Sequence, residues 1–467
     1  IKIKTDSWIR LLLVIIFVLV LSACKKFVEI PPPITELTTS SVFESDAKAD
    51  EAMLGIYSGI MENVTGYSSG GMQSFTTLSA LSSDEMINYY LQAGMPEFYL
   101  NQLTISNPTN LALWNATYNN IYQVNAILEG IQSSNGMTIA TRQRIEGEAR
   151  FLRAFFYFYL VNYWGDIPFT SSTDYQANSK LSRKAISEVY ASMEKDLQVA
   201  VQNLPDDYIM NGERIRPNKG AAEALMARVN LFEGNWAAAE SYASLVINNS
   251  GYYQLDSNLQ DVFLMNSSEA IWQLMPVVPY YNSSEGFNFI LLEMPQLVSL
   301  SNQLVNAFEP GDLRRAGWID SIDAGGQLYY FPYKYKIKGG NVSDPLLEYT
   351  MVLRLAEQYL IRAEARARLS NFIGAQEDLN IIRHRAGLLN TSANDLNSLL
   401  IAIEHERQVE LFTEWGGFRW LDLKRMGRAD AVLGPIKAGN WQPDDTLYPI
   451  PEHEIQNDPF LTQNPGY

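Results

Sequence analysis

The chain has 467 residues, a formal charge of −17 at neutral pH and a pI of about 4.7, a balance that argues against nucleic acid or anionic lipid surfaces as partners. With 47% hydrophobic and 19% charged residues, it can bury a large core and does not belong with disordered chains. The single cysteine, Cys24, leaves no second thiol for an internal disulfide.

At the N-terminus Lys2, Lys4 and Arg10 precede an unbroken apolar run from Leu11 to Leu21, followed by Ser22-Ala23-Cys24. A basic flank, a short apolar run and small residues make an export signal. Spanning a bilayer takes about 20 apolar residues, and Lys25-Lys26 follows directly, so this run is expected to be cleaved rather than to span. The tetrapeptide Leu21-Ser22-Ala23-Cys24 resembles the lipobox of bacterial lipoproteins. Residues 1–23 are therefore read as a signal peptide and Cys24 as the acylated first residue of the mature chain, its acyl chains holding the protein at a membrane without a spanning helix. Pro31-Pro32-Pro33 favours an extended conformation, and 24–45 is read as a spacer.

From about Asp46 the apolar spacing becomes helical, with Ala49, Met53 and Ile56-Tyr57 on one face. Further helices are expected over 112–131, 140–164, 183–203, 217–248, 350–388 and 397–428; strand signals are few. In 140–164, Phe151, Phe155 and Phe158 share a face while Leu152, Phe156, Tyr159 and Leu160 fill much of the rest, the pattern of a core helix. Asp166-Ile167-Pro168 ends it, because a residue before proline is biased away from helical angles. Ala227, Gly234-Asn235-Trp236 and Ala239 describe a helix, a tight turn and a second helix. Ala363, Ser370-Asn371-Phe372 and Ala375 repeat the scheme, with the spacing of a tetratricopeptide hairpin. Arg407 with Glu410 and Glu414, and Arg362 with Glu364 and Arg366, read as solvated or paired helix charges of the scaffold. Between the helices, 64–110 and 250–345 are long, aromatic and rich in Gly, Ser and Asn, the kind of connection that carries function.

Four blocks then resemble, in order, the SusD/RagB family of Bacteroidetes nutrient-binding lipoproteins: Glu146–Phe169, Lys219–Trp236, Leu353–Leu388, and Glu406–Arg425 followed by Leu447–Tyr467. The resemblance implies a mainly α fold: a tetratricopeptide-like superhelical scaffold of helix pairs with a loop-rich ligand side, spanning 46–467 as one body with halves 46–235 and 236–467. It also implies a lipid anchor at the outer membrane, facing the cell surface, and a SusC-like TonB-dependent transporter as partner. The expected cargo is an oligosaccharide or polysaccharide; a peptide or other non-sugar nutrient, or a tetratricopeptide-type adaptor role, stays open. Lys25-Lys26 departs from the acidic run that often accompanies surface export in these bacteria, which bears on the face of the membrane.

The histidines His384, His405 and His453 form no H-E-x-x-H pair for zinc, and no nucleophile elbow, Walker sequence or Rossmann glycine pattern is present. The chain is read as a binding protein without catalytic residues, metal or cofactor. Sugar faces pack on aromatic rings, and their hydroxyls bond amides and carboxylates. Tyr67, Tyr280, Tyr281, Trp318 and Tyr329 are the stacking candidates, and Asp84, Asn88 and Asn282 the hydrogen-bonding ones.

Overall fold

The structure is a computed structural model and describes residues 42–62, 72–92, 94–278 and 281–467. Cys24, the prolines of the spacer, Tyr67 and Tyr280 lie outside the described residues. The principal helices are α1 (Asp46–Glu62), α2 (Phe75–Ser82), α3 (Pro108–Ser133), α4 (Ile139–Trp164), α5 (Ile186–Asn203), α6 (Lys219–Glu233), α7 (Trp236–Asn248), α8 (Leu355–Arg368), α9 (Phe372–Arg385), α10 (Leu396–Leu411) and α11 (Phe418–Arg425). The protein is mainly α, and no described helix is long and apolar enough to cross a membrane.

Helix starts follow local chemistry. Asn107 Oδ1 accepts from the Thr109 and Asn110 amides at 3.0 and 2.9 Å, with Pro108 at the first helical position, so α3 begins four residues before the apolar spacing signals it. The Thr138 side chain likewise caps α4. That helix ends one step before the proline signal: Gly165 adopts φ +75° and its amide bonds Val161 O. A left-handed residue, cheap for glycine, stops the helix, and Asp166 then caps the next one, its carboxylate accepting from Ile186 N–H at 3.0 Å.

Residues Phe151 to Leu160 of α4 are all buried, on every side of the helix, with Phe155 packed edge to face on Trp272 at 5.1 Å. Around this core helix the array runs α4, α5, α6, α7, α8, α9, α10, each packed on its neighbour. The two aligned hairpins meet in the middle of the array: Ala227, Ala239 and Ala243 of α6 and α7 pack against Ile361 and Ala365 of α8, all fully buried. Small side chains let these helices approach closely. Both turns use a left-handed residue, Gly234 at φ +81° and Ser370 at φ +65°.

Among the described residues, six short strands make three two-stranded antiparallel sheets: β1 (Met86–Asn88) with β3 (Val298–Leu300), β2 (Ala270–Leu274) with β6 (Thr350–Arg354), and β4 (Ile319–Ala324) with β5 (Gln327–Pro332). Strand β6 corrects the expected helix over 350–388. Its five residues are all buried, and a stretch this short, apolar only at Met351-Val352-Leu353, has no periodicity that separates strand from helix.

Of the charges read as solvated or paired, most are buried and all those named below are paired. Arg407, 1% exposed, donates to Asp422 at 2.7 Å. Glu410 accepts from Arg314 at 2.7 Å and Arg354 at 2.6 Å, and also from Arg385. Arg354 further reaches Glu269 at 2.7 Å and Glu414 at 2.8 Å, and Lys334 is paired to Glu414. Arg362 and Arg366 share Asp378 at 2.7 and 2.9 Å. The partners lie beyond the reach of one helical turn in the sequence, so helical spacing alone does not name them. This network ties the scaffold helices α9 and α10 to the irregular 250–345 region.

Candidate ligand-binding surface

The loop-rich region is organised by the small sheets. Met86 pairs with Leu300, Ile87 with Ser299 and Asn88 with Val298, and β5 packs against β3. Strands β4 and β5 turn through Gly325-Gly326 at φ +70° and +83°, the left-handed pair that a tight hairpin turn requires. This turn projects Leu328, Tyr329 and Tyr330 beside β1. Tyr329 meets Tyr89 edge to face, with centroids 6.1 Å apart at 73°. The Tyr89 hydroxyl is 3.1 Å from Ser299 Oγ. Both rings are partly exposed, as is Tyr330, over whose face the Arg315 guanidinium sits at 5.0 Å.

From this pair the surface continues along the backbone. Tyr89 N–H donates to Leu297 O at 2.8 Å, and Leu297 is one wall of a cleft of about 360 Å³ formed by 288–297 and Lys338. Leu292 and Met294 are exposed along its rim. Lys338 donates to Phe287 O at 2.8 Å and Ile290 O at 2.7 Å, and desolvation lowers its pKa below the usual lysine value. Phe287 lies on Tyr281 with centroids 4.0 Å apart. Tyr281 in turn opens a second cleft of about 240 Å³, lined by 276–278, Asn282 and 340–346. The short helix Ser284–Phe289 thus stands between two clefts, and the strip runs Tyr329, Tyr89, first cleft, Phe287, Tyr281, second cleft.

The expected site residues divide sharply on this map. Tyr281 and Tyr329 are on the strip. Asn88 is beside it but engaged: its amide donates to Tyr90 O at 2.9 Å and its Oδ1 accepts from Tyr90 N–H at 3.2 Å. Asn282 is buried, and its Oδ1 accepts from the Leu347 and Glu348 amides at 2.6 and 3.1 Å. Its carbonyl oxygen is thereby taken up within the wall of the second cleft. Asp84 is also withdrawn, 6% exposed, with both oxygens on Arg419 at 2.8 and 2.9 Å. Trp318 is fully buried. Its indole N–H donates to Leu259 O at 2.9 Å, Phe263 meets it edge to face at 5.6 Å, and Lys334 sits 4.9 Å from its centroid. Trp318 therefore belongs to the core ahead of β4 and presents no face for stacking. Tyr89-Tyr90 belongs to the aromatic segment 64–110 that the sequence marks without standing among the stacking candidates, whereas Phe287 and Lys338 carry no local signal.

Beneath β1, Glu85 is fully buried beside Asp84, and one carboxylate oxygen has no hydrogen-bond partner among the described residues. Desolvation, then repulsion from Asp84, pushes its pKa up to about 8. A carboxyl whose folded pKa exceeds its unfolded value binds its proton more tightly in the native state. Its contribution is full below about pH 4.5 and is lost as pH rises towards 8. Glu85→Gln is expected to remove that slope: thermal melts at pH 5 and pH 8 should show the variant gaining on the native sequence as pH rises. Parallel melting temperatures at both pH values would disprove a protonated Glu85.

No group of three or more His, Cys, Asp or Glu side chains is placed to hold a metal ion among the described residues. Two family models match: one described as starch-binding associating with outer membrane over 26–231, and one described as the SusD family over 318–467. A SusD-like protein of Formosa agariphila is 26% identical, the alignment covering 95% of this chain and 97% of that protein. The starch-binding protein SusD of Bacteroides thetaiotaomicron is 24% identical over 72% of this chain and 75% of its own length. Among solved structures, a SusD superfamily protein from Bacteroides vulgatus superposes with a TM-score of 0.80 at 19% identity, covering 91% of this chain and all (100%) of that one. A laminarin-binding SusD-like protein gives 0.75 at 23% identity, covering 91% of this chain and 100% of its own. With matching family models at both ends and the same fold throughout, the chain belongs to the SusD/RagB family of nutrient-binding proteins.

Proposed function

We propose that the protein captures an oligosaccharide or polysaccharide on the strip from Tyr329 to Tyr281 and delivers it, chemically unchanged, to a SusC-like TonB-dependent transporter. In this reading Cys24 carries the lipid that holds the protein at the outer membrane, facing the cell surface. The observation that carries the proposal is the partly exposed Tyr89–Tyr329 pair joined through Leu297 to a cleft. The rings present apolar faces to pyranosides, and a neighbouring concavity confers shape selection. Support also comes from the relatives described as binding starch or laminarin.

The first cleft is built almost wholly, and the second in half, from 276–297, within the 232–317 interval that neither family model matches. We take this interval to set which glycan is bound.

The test is calorimetry of the soluble chain, truncated after Cys24, against a panel of β-glucans, α-glucans, mannans and peptides. Tyr329→Ala and Tyr89→Ala should each weaken glycan binding by about tenfold or more, the loss of a stacked contact worth about 1.4 kcal/mol, with the melting temperature unchanged. Binding of peptides alone, or turnover of a glycan during the titration, would overturn the proposal.

A further inference from the structure

A third concavity shares no lining residue with the strip. Trp114, Tyr118 and Tyr122, one helical turn apart on α3, line a cleft of about 350 Å³ bounded also by residues of 168–181, by Glu454 and Asn457 of the short helix Glu452–Asn457, and by Asp458 and Leu461. That volume lies within the range of small-molecule sites. Trp114 is its buried floor, set edge to face on Trp164 at 5.4 Å and 84°. Tyr118 tilts over Trp114 at 4.8 Å and donates its hydroxyl to Pro168 O at 2.7 Å. Tyr122 is 52% exposed, a large ring left in water at the edge of the cleft.

The 168–181 wall is braced within the protein. The Tyr157 hydroxyl donates to Thr170 O at 2.8 Å, the Thr170 hydroxyl to Asn178 Oδ1 at 2.7 Å, and the Asn178 amide to Ser172 O at 2.8 Å. Across from it stand two carboxylates. Glu454 Oε1 is 3.0 Å from His453 Nδ1, and Asp458 Oδ1 accepts from Phe460 N–H at 2.9 Å. Neither has a Lys or Arg within 4.0 Å among the described residues.

We infer that this cleft is a second saccharide site, sized for one or two neutral pyranose units and separate from the strip. Two carboxylates with no Lys or Arg partner repel anionic ligands. A wholly apolar guest would strip water from those carboxylates and give no hydrogen bond in return. A peptide would need main-chain partners, whereas the polar groups of the 168–181 wall are already bonded to one another. A neutral polyol with one CH-rich face meets both demands: ring against Tyr122 and Tyr118, hydroxyls donating to Glu454 and Asp458. Such a site would let the protein grip a long glycan at two separated points, with the gain in avidity that linkage gives.

The inference extends the proposed function, and its test is built so that the two can fail separately. In the Tyr329→Ala background, with the strip disabled, methyl glycosides of glucose, galactose, mannose and xylose are titrated while tryptophan fluorescence is followed, Trp114 serving as reporter. At least one glycoside is expected to bind, with binding weakened about tenfold or more by Tyr122→Ala and by Asp458→Asn, and restored by Tyr122→Phe. The exposure of Tyr122 means that its replacement should leave the melting temperature in place. Binding of none of the four, binding that survives Tyr122→Ala, or preferential binding of benzyltrimethylammonium would each overturn the inference. Loss of strip binding in the native sequence would leave this cleft's titration unaffected.

Discussion

Trp318→Ala is expected to lower the stability of the fold by about 3–5 kcal/mol, the range for removing a large aromatic from a core, while glycan affinity measured on the folded protein stays within about threefold. The indole is fully buried, donates to Leu259 O at 2.9 Å and lies within 6.0 Å of three cations, Lys334, Arg354 and Arg385. Truncation removes the packing, strands that carbonyl and leaves the cations without the ring face that helps to offset their burial. Urea denaturation at pH 7 reads the first quantity, and calorimetry at a temperature well below the melting point reads the second. Tyr329→Ala should give the converse result, weak binding in a stable protein. If the tryptophan variant instead kept its full stability and lost its ligand, the ring would have to be reachable from solvent and the strip would be misplaced.

The contrast between Trp318 and Tyr329 also explains what the sequence could reveal. Both are aromatics in the same irregular segment, and nothing local separates them. Tyr329 follows a Gly-Gly turn that carries it outward, whereas Trp318 ends a single turn of helix whose Asp312 and Arg314 are drawn into the buried ion network. The difference is decided by residues 269, 354, 385 and 410, far away in the chain. Asp84 and Asn282 are engaged within the protein for a related reason. A short polar side chain in a loop can bond solvent, ligand or protein, and only the fold brings Arg419 to the first and the 347–348 amides to the second. Helices, by contrast, carry their burial in their own periodicity. The nearly all-apolar circumference of the second half of α4 and the alanine-lined turns at Gly234 and Ser370 are legible directly, because they depend on neighbours three and four residues away. The order of the matched blocks extended this to the family. It does not extend to the cargo, since the interval that shapes the first cleft and half of the second lies between the regions the family models match.

Glu410→Ala should be the most damaging single change in the scaffold, costing about 3–5 kcal/mol as the removal of one member of a buried charge cluster does. Three guanidinium groups, Arg314, Arg354 and Arg385, converge on this one carboxylate, so its loss leaves several cations under-compensated where water cannot reach them. Burial alone would raise the pKa of Glu410. The three arginines outweigh that desolvation and hold it well below the ordinary carboxylate value, so the group's stabilising effect is present above the unfolded carboxylate range and is lost as pH falls through the folded value. Glu410→Gln keeps the shape and discards the charge, which isolates the ionic part. Its deficit in urea midpoint relative to the native sequence should be largest near pH 7 and should shrink once pH falls below about 4.5, the unfolded glutamate value. A deficit of the same size at pH 7 and pH 3 would mean that packing, not charge, is what Glu410 supplies. Because the cluster joins α9 and α10 to Glu269, Asp312 and Lys334, its loosening should reach the ligand side as well. Hydrogen exchange in the Glu410→Gln protein is expected to rise in 250–345 before it rises in α4, since the first region hangs on these ion pairs while the second is fixed by its own buried rings.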